Sequence, residues 1–113
     1  MSRIFTMPFA KVYPLYLTKV ERKGRDQAQL DTVIRWLLQI DDETLAKHLE
    51  NETTFEQLFD EVQLNPSAEK ITGMICGMRV EQIEDPLMQK IRYLDKVVDE
   101  LAQGKAMEKI LRA

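Results

Sequence analysis

The chain has 113 residues, of which 44% are apolar and 31% charged, and its formal net charge is −3. That length gives one domain with a core of its own and little room for a second module, and the composition excludes collagen-like, linker-like and broadly disordered character. One cysteine, Cys76, and one histidine, His48, exclude an internal disulfide and a thiolate–imidazole zinc cluster.

The opening MSRIFTMPFA holds no apolar run long enough for a signal-peptide core, and no later stretch approaches the roughly 20 apolar residues of a membrane span. A cytoplasmic protein without membrane contact is therefore expected. Charge is uneven along the chain. Residues 1–25 carry six Lys/Arg against one acid, residues 26–86 four against fourteen, and residues 87–113 six against four. A weakly acidic whole disfavours nucleic acid as a partner, although the basic start could form a local contact surface.

Helical periodicity runs from end to end. Phe9, Val12, Tyr13, Tyr16, Leu17 and Val20 form an apolar and aromatic stripe. Pro14 either kinks a helix that begins near Pro8 or occupies the first turn of one that begins later. Gly24 ends it, after Lys19, Arg22 and Lys23 have gathered where a helix C-terminus favours cations. Asp26 with Gln29 reads as a cap, and Leu30, Val33, Ile34, Leu37 and Leu38 form the second stripe with Trp36 at its edge. A weaker segment follows Asp41 or Asp42, with Leu45 and Leu49. Thr54 and Gln57 have the spacing of a capping box ahead of Phe55, Leu58, Phe59 and Val62. Asn65-Pro66 ends that run and can open the next.

For ITGMICGMRVEQIEDP, residues 71–86, the spacing predicts a buried helix over 67–80. Ile71, Met74, Ile75 and Met78 would lie on one side, and Gly73 and Gly77 would allow a neighbouring backbone to approach closely. Asp85-Pro86 caps the clearest helix of the chain. Leu87, Ile91, Leu94, Val98 and Leu101 step as a heptad seam, with Lys96 and Glu100 paired on the outside. Gly104 breaks it. The remaining KAMEKILRA places Met107, Ile110 and Leu111 on one side of a short amphipathic tail.

These features combine into an all-α single domain, residues 1–113, of about six helices with the apolar helix near 67–80 at its centre. The last segment, 105–113, serves as a short docking tail.

Functional signals are sparse. Gly73 and Gly77 resemble the turn spacing of a helix-turn-helix, but Arg79, Glu81, Gln82, Glu84 and Asp85 follow where a basic recognition helix is needed, and Pro86 interrupts it. Cys76 in a helix interior is a small buried hydrophobe rather than a nucleophile. His48, beside Lys47, reads as a surface histidine. The pairs Glu81/Asp85 and Asp95/Asp99 read as solvated faces or caps, since two carboxylates are too few for a cation. No phosphate loop or hydrolase elbow is present. No catalytic residue, cofactor or metal is therefore expected.

Three blocks, IFTMPFAKVYPLYLTKVERKGR, LNPSAEKITGMICGMRVEQIEDPLM and IRYLDKVVDELAQGKAMEKILR, resemble a small bacterial family catalogued as a domain of unknown function. The likeness covers nearly the whole chain and implies a bacterial cytosolic protein with no known reaction. One departure follows the tryptophan-leucine of the second helix. The resemblance implies Thr-Gly-Tyr where this chain has Leu38-Gln39-Ile40, so the helix is expected to run on by a residue or two.

The function expected is that of a non-enzymatic interaction module, a homodimer or a binder of another protein, acting through Tyr13, Tyr16 and the tail residues Met107, Ile110 and Leu111. The competing class is a DNA-binding regulator with Lys19, Arg22, Lys23 and Arg25 on phosphates. A third is a small-ligand binder or enzyme with a pocket near Tyr13, Tyr16 and Cys76.

Overall fold

Local capping chemistry sets most helix starts in the structure, a computed structural model that describes residues 3–113. The Asp26 carboxylate accepts from the Gln29 amide while the Gln29 side chain accepts from the Asp26 amide, opening α2 (Gln27–Leu38). Thr54 and Gln57 do the same for α4 (Phe55–Glu61). Asp41 caps α3 (Asp42–Glu50), and Asp85, with Pro86 in the first turn, caps α5 (Pro86–Ala102). The first helix, α1 (Phe9–Glu21), lacks a side-chain cap. Its first amide instead donates to the Thr53 carbonyl at 2.8 Å, and the Phe55 amide donates to the Met7 carbonyl at 3.1 Å. A bridge between Pro8 and Thr54 thus fastens the starts of α1 and α4 together. Pro14 lies inside α1, so the helix begins next to Pro8.

The sixth helix is the short α6 (Met107–Ile110) in the tail. Six α-helices among the described residues agree with an all-α fold, joined by 3₁₀ turns at Arg3–Thr6, Pro66–Lys70 and Val80–Gln82. Among the described residues no helix is long and apolar enough to cross a membrane. The centre is α5, which buries Ile91, Leu94, Val97, Val98 and Leu101 against α1, α2 and α4. Phe9 stands edge-on to both Tyr13 and Phe55, and Phe55 stacks on Phe59, carrying the core between α1 and α4.

Three expectations are corrected. The segment 67–80 is not a helix. After the turn at Pro66–Lys70 it forms an antiparallel hairpin, β1 (Met74–Ile75) with β2 (Met78–Arg79), in which Ile75 faces Met78. Cys76 and Gly77 both have positive φ (51° and 81°), as a two-residue type I′ turn requires, and Gly73 has φ 109°. The glycines therefore turn the chain, and at Gly73 it is the positive φ rather than a lack of space that favours glycine. Second, Lys96 and Glu100 do not pair. Lys96 donates to the Met74 carbonyl, while Glu100 is only 6% exposed and takes Arg112 and Lys105. Third, α2 does not run on. It stops at Leu38, and Gln39 takes a left-handed conformation (φ 54°) while its side chain donates to the Gln63 carbonyl at 2.7 Å.

Candidate functional site

The hairpin rests on one face of α5. Gln89, Arg92 and Lys96, spaced by three and four, all point to that face. Gln89 donates to the Val80 carbonyl at 3.1 Å, Lys96 to the Met74 carbonyl at 3.1 Å, and Arg92 reaches the Cys76 sulfur at 3.4 Å. At the base, the Gly73 amide donates to Glu81 at 3.0 Å and its carbonyl accepts from the Val80 amide at 3.0 Å. That amide, with Arg79 nearby, holds the Glu81 carboxyl below its ordinary range. A polar clamp thus fixes the hairpin, with Ile75 packed against the core and Met74 and Met78 left exposed.

Those side chains are the notable surface feature. Met74 is 52% exposed and Met78 39%, and Met7 and Leu15 are the other large exposed hydrophobics among the described residues. Met74 and Met78 border a shallow basin of about 640 Å³ whose rim also carries Arg79, Ile83 and Glu84. The helical reading buried both methionines. The signal that could have found them is the X-Gly pair flanked by apolar residues, which marks a hairpin turn.

Tyr13 and Tyr16 share a stripe of α1 but part company. The Tyr16 hydroxyl donates to Asp95 on α5, whose other oxygen accepts from Arg92 at 2.7 Å. Burial first, then the Asp95 carboxylate, raise the Tyr16 phenol well above its ordinary range. This chain of contacts ends at Cys76, which is exposed in the turn and not buried in a helix. Tyr13 faces α2: its hydroxyl donates to Asp31 and accepts from Gln27 at 3.0 Å. Burial and Asp31 push that phenol up to about 12. No single groove unites Tyr13, Tyr16 and Cys76.

The carboxylate pairs also resolve. Asp85 is a cap and Glu81 holds the hairpin base. Asp95 and Asp99 are not solvated faces: they take Tyr16, Arg92 and Lys19, the last at 3.0 Å. His48 is not on the surface. It is 6% exposed, its Nδ1 lies 3.0 Å from the Thr53 hydroxyl, and its Nε2 approaches Glu61 at 3.3 Å.

The tail docks on its own domain. Ile110 is fully buried, Met107 and Leu111 are half-buried against the core, and Arg112 grips Glu100 with both terminal nitrogens. Of the basic cluster, Lys19 is engaged by Asp99 and Arg25 donates to the Lys105 carbonyl at 2.6 Å, while Arg22 and Lys23 are exposed. After Gly77 comes a strand and a 3₁₀ turn, so the helix-turn-helix expected as an alternative is absent from 71–86.

Comparison with known proteins agrees with the fold and adds no reaction. Residues 3–112 match the bacterial family described as "Uncharacterized protein conserved in bacteria (DUF2200)". A crystal structure described as that of "uncharacterized protein SP1917" superposes with a TM-score of 0.90 at 41% identity, covering 98% of this chain and 93% of that one. Among curated protein sequences, none matches this chain significantly.

Proposed function

We propose, for a chain that belongs to the bacterial family of uncharacterised proteins DUF2200, that it acts as a non-enzymatic module that associates with a second copy of itself through the hairpin face. The observation that carries this reading is the pair Met74 and Met78, held outward beside an open basin by a polar clamp on α5. Methionine is flexible and polarizable, and it suits surfaces that must adapt to a partner. The outer edge of β2 also pairs with no further strand, whereas on β1 the Met74 carbonyl is already taken by Lys96.

A second copy is favoured by the charges on the rim. Arg79 and Glu84 line the same basin with opposite signs. In a two-fold arrangement each Arg79 would meet the other copy's Glu84, which makes the face complementary to itself.

Sedimentation velocity over a concentration series tests the reading. The wild type is expected to show a concentration-dependent dimer, and the double variant Met74→Glu/Met78→Glu a monomer with an unchanged far-UV spectrum. A wild type that stays monomeric throughout, or a double variant that dimerises equally well, would overturn it.

A further inference from the structure

We infer, resting on the self-association proposed above, that hydrogen peroxide converts Met74 and Met78 to their sulfoxides and thereby releases the hairpin face from its second copy. The face is then a modification site as well as a contact.

Exposure selects these two side chains. Met74 is 52% exposed and Met78 39%, whereas Met88 and Met107 are partly buried against the core, and Met7 lies outside the basin's lining. Methionine oxidation follows access, so a free subunit presents this pair to a dissolved oxidant. The fold does not depend on them. Gln89, Lys96 and Glu81 hold the hairpin through backbone atoms, and neither methionine packs into the core. A sulfoxide at either position therefore alters the surface and leaves the hairpin in place.

In the step itself the thioether sulfur donates a lone pair to one oxygen of the peroxide. A sulfur–oxygen bond forms as the oxygen–oxygen bond breaks, and the second oxygen departs as hydroxide. The proton of the transferred oxygen joins it to give water. Sulfur is oxidised to the sulfoxide and the peroxide is reduced by the same electron pair.

Two effects then oppose association. A flexible apolar side chain becomes polar, which removes the adaptable contact that methionine supplies. The other effect comes from the register. Met74 stands directly opposite Arg79 across the hairpin, so the new sulfoxide oxygen, an acceptor, lies within reach of the Arg79 guanidinium. Only an exposed contact to Glu81 at 3.4 Å holds Arg79 among the described residues. An Arg79 drawn to its own Met74 is lost to the Glu84 of a second copy.

Sedimentation velocity before and after hydrogen peroxide provides the test, with peptide mass spectrometry reporting the added oxygen at each methionine. The untreated chain is expected to dimerise. Oxidation of Met74 and Met78 should raise the dissociation constant roughly tenfold or more with an unchanged far-UV spectrum. Methionine sulfoxide reductases of both stereospecificities should restore the dimer. Dithiothreitol, which reverses a disulfide or sulfenic acid at Cys76 but no sulfoxide, should not. Raising the protein concentration should also slow oxidation of Met74 and Met78, because the dimer covers them. An untreated chain that stays monomeric, or a dimer that leaves both methionines equally reactive at every concentration, would overturn the hairpin contact and this inference together. A dimer that protects them but persists once both are oxidised, is recovered by dithiothreitol, or is lost only as the fold is lost would overturn the inference alone.

Discussion

At the hairpin turn, Cys76 adopts a left-handed backbone (φ 51°) that disfavours most side chains. Asparagine tolerates that region better and is preferred ahead of glycine in a type I′ turn. Cys76→Asn should therefore stabilise the chain by about 0.5–1 kcal/mol, less whatever the weak contact from Arg92 to the sulfur contributes. Urea unfolding followed by circular dichroism would measure it, and a lower midpoint would count against a strained turn. Single residues were legible in the sequence where the partner is three positions away, as with Asp26 and Gln29 or Thr54 and Gln57. His48 was not. Its burial depends on Thr53, in the connection after α3, and Glu61, at the end of α4, converging on its ring, and no local pattern records that.

Among the elements, the tail shows how a short helix that is marginal alone is held in place. Glu100 on α5 is a buried carboxylate gripped by Arg112 at 2.7 and 2.9 Å and approached by Lys105 at 3.3 Å. Arg112→Ala leaves that carboxylate with one half-exposed cation, which should cost about 2–3 kcal/mol. Amide exchange at 105–112 should accelerate with it, and unchanged protection there would mean that Ile110 alone anchors the segment. The heptad reading of α5 placed Glu100 outside because the helix pattern is blind to an arginine twelve residues later. The hairpin was misread for a different reason. Ile71, Met74, Ile75 and Met78 satisfy a helical stripe, and strands of two residues are too short to display an alternation that would contradict it.

For the whole molecule, the tyrosines predict how stability depends on pH. Tyr13 and Tyr16 lie in the core and Tyr93 is buried on α5, and burial raises all three phenols above the ordinary value. The folded chain then retains protons that the unfolded chain releases near pH 10. Their contribution is complete below about pH 10 and is lost as pH rises through the folded values, about 12 for Tyr13. Melting temperature should accordingly fall between pH 10 and 12, with phenolate absorbance near 295 nm appearing together with unfolding. Phenolate that formed with ordinary midpoints in a folded protein would contradict the buried geometry.

The same Tyr16 contact joins residues 79 positions apart, and Arg25 reaches Lys105 across 80. A nascent chain therefore emerges from the ribosome with the apolar stripe of α1 complete and its cover not yet translated. Phe9 and Phe55 can meet as soon as α4 is made, so α1 to α4 can gather early. The side of α1 that carries Tyr16 must wait for α5, which makes that surface the one most in need of a chaperone during synthesis.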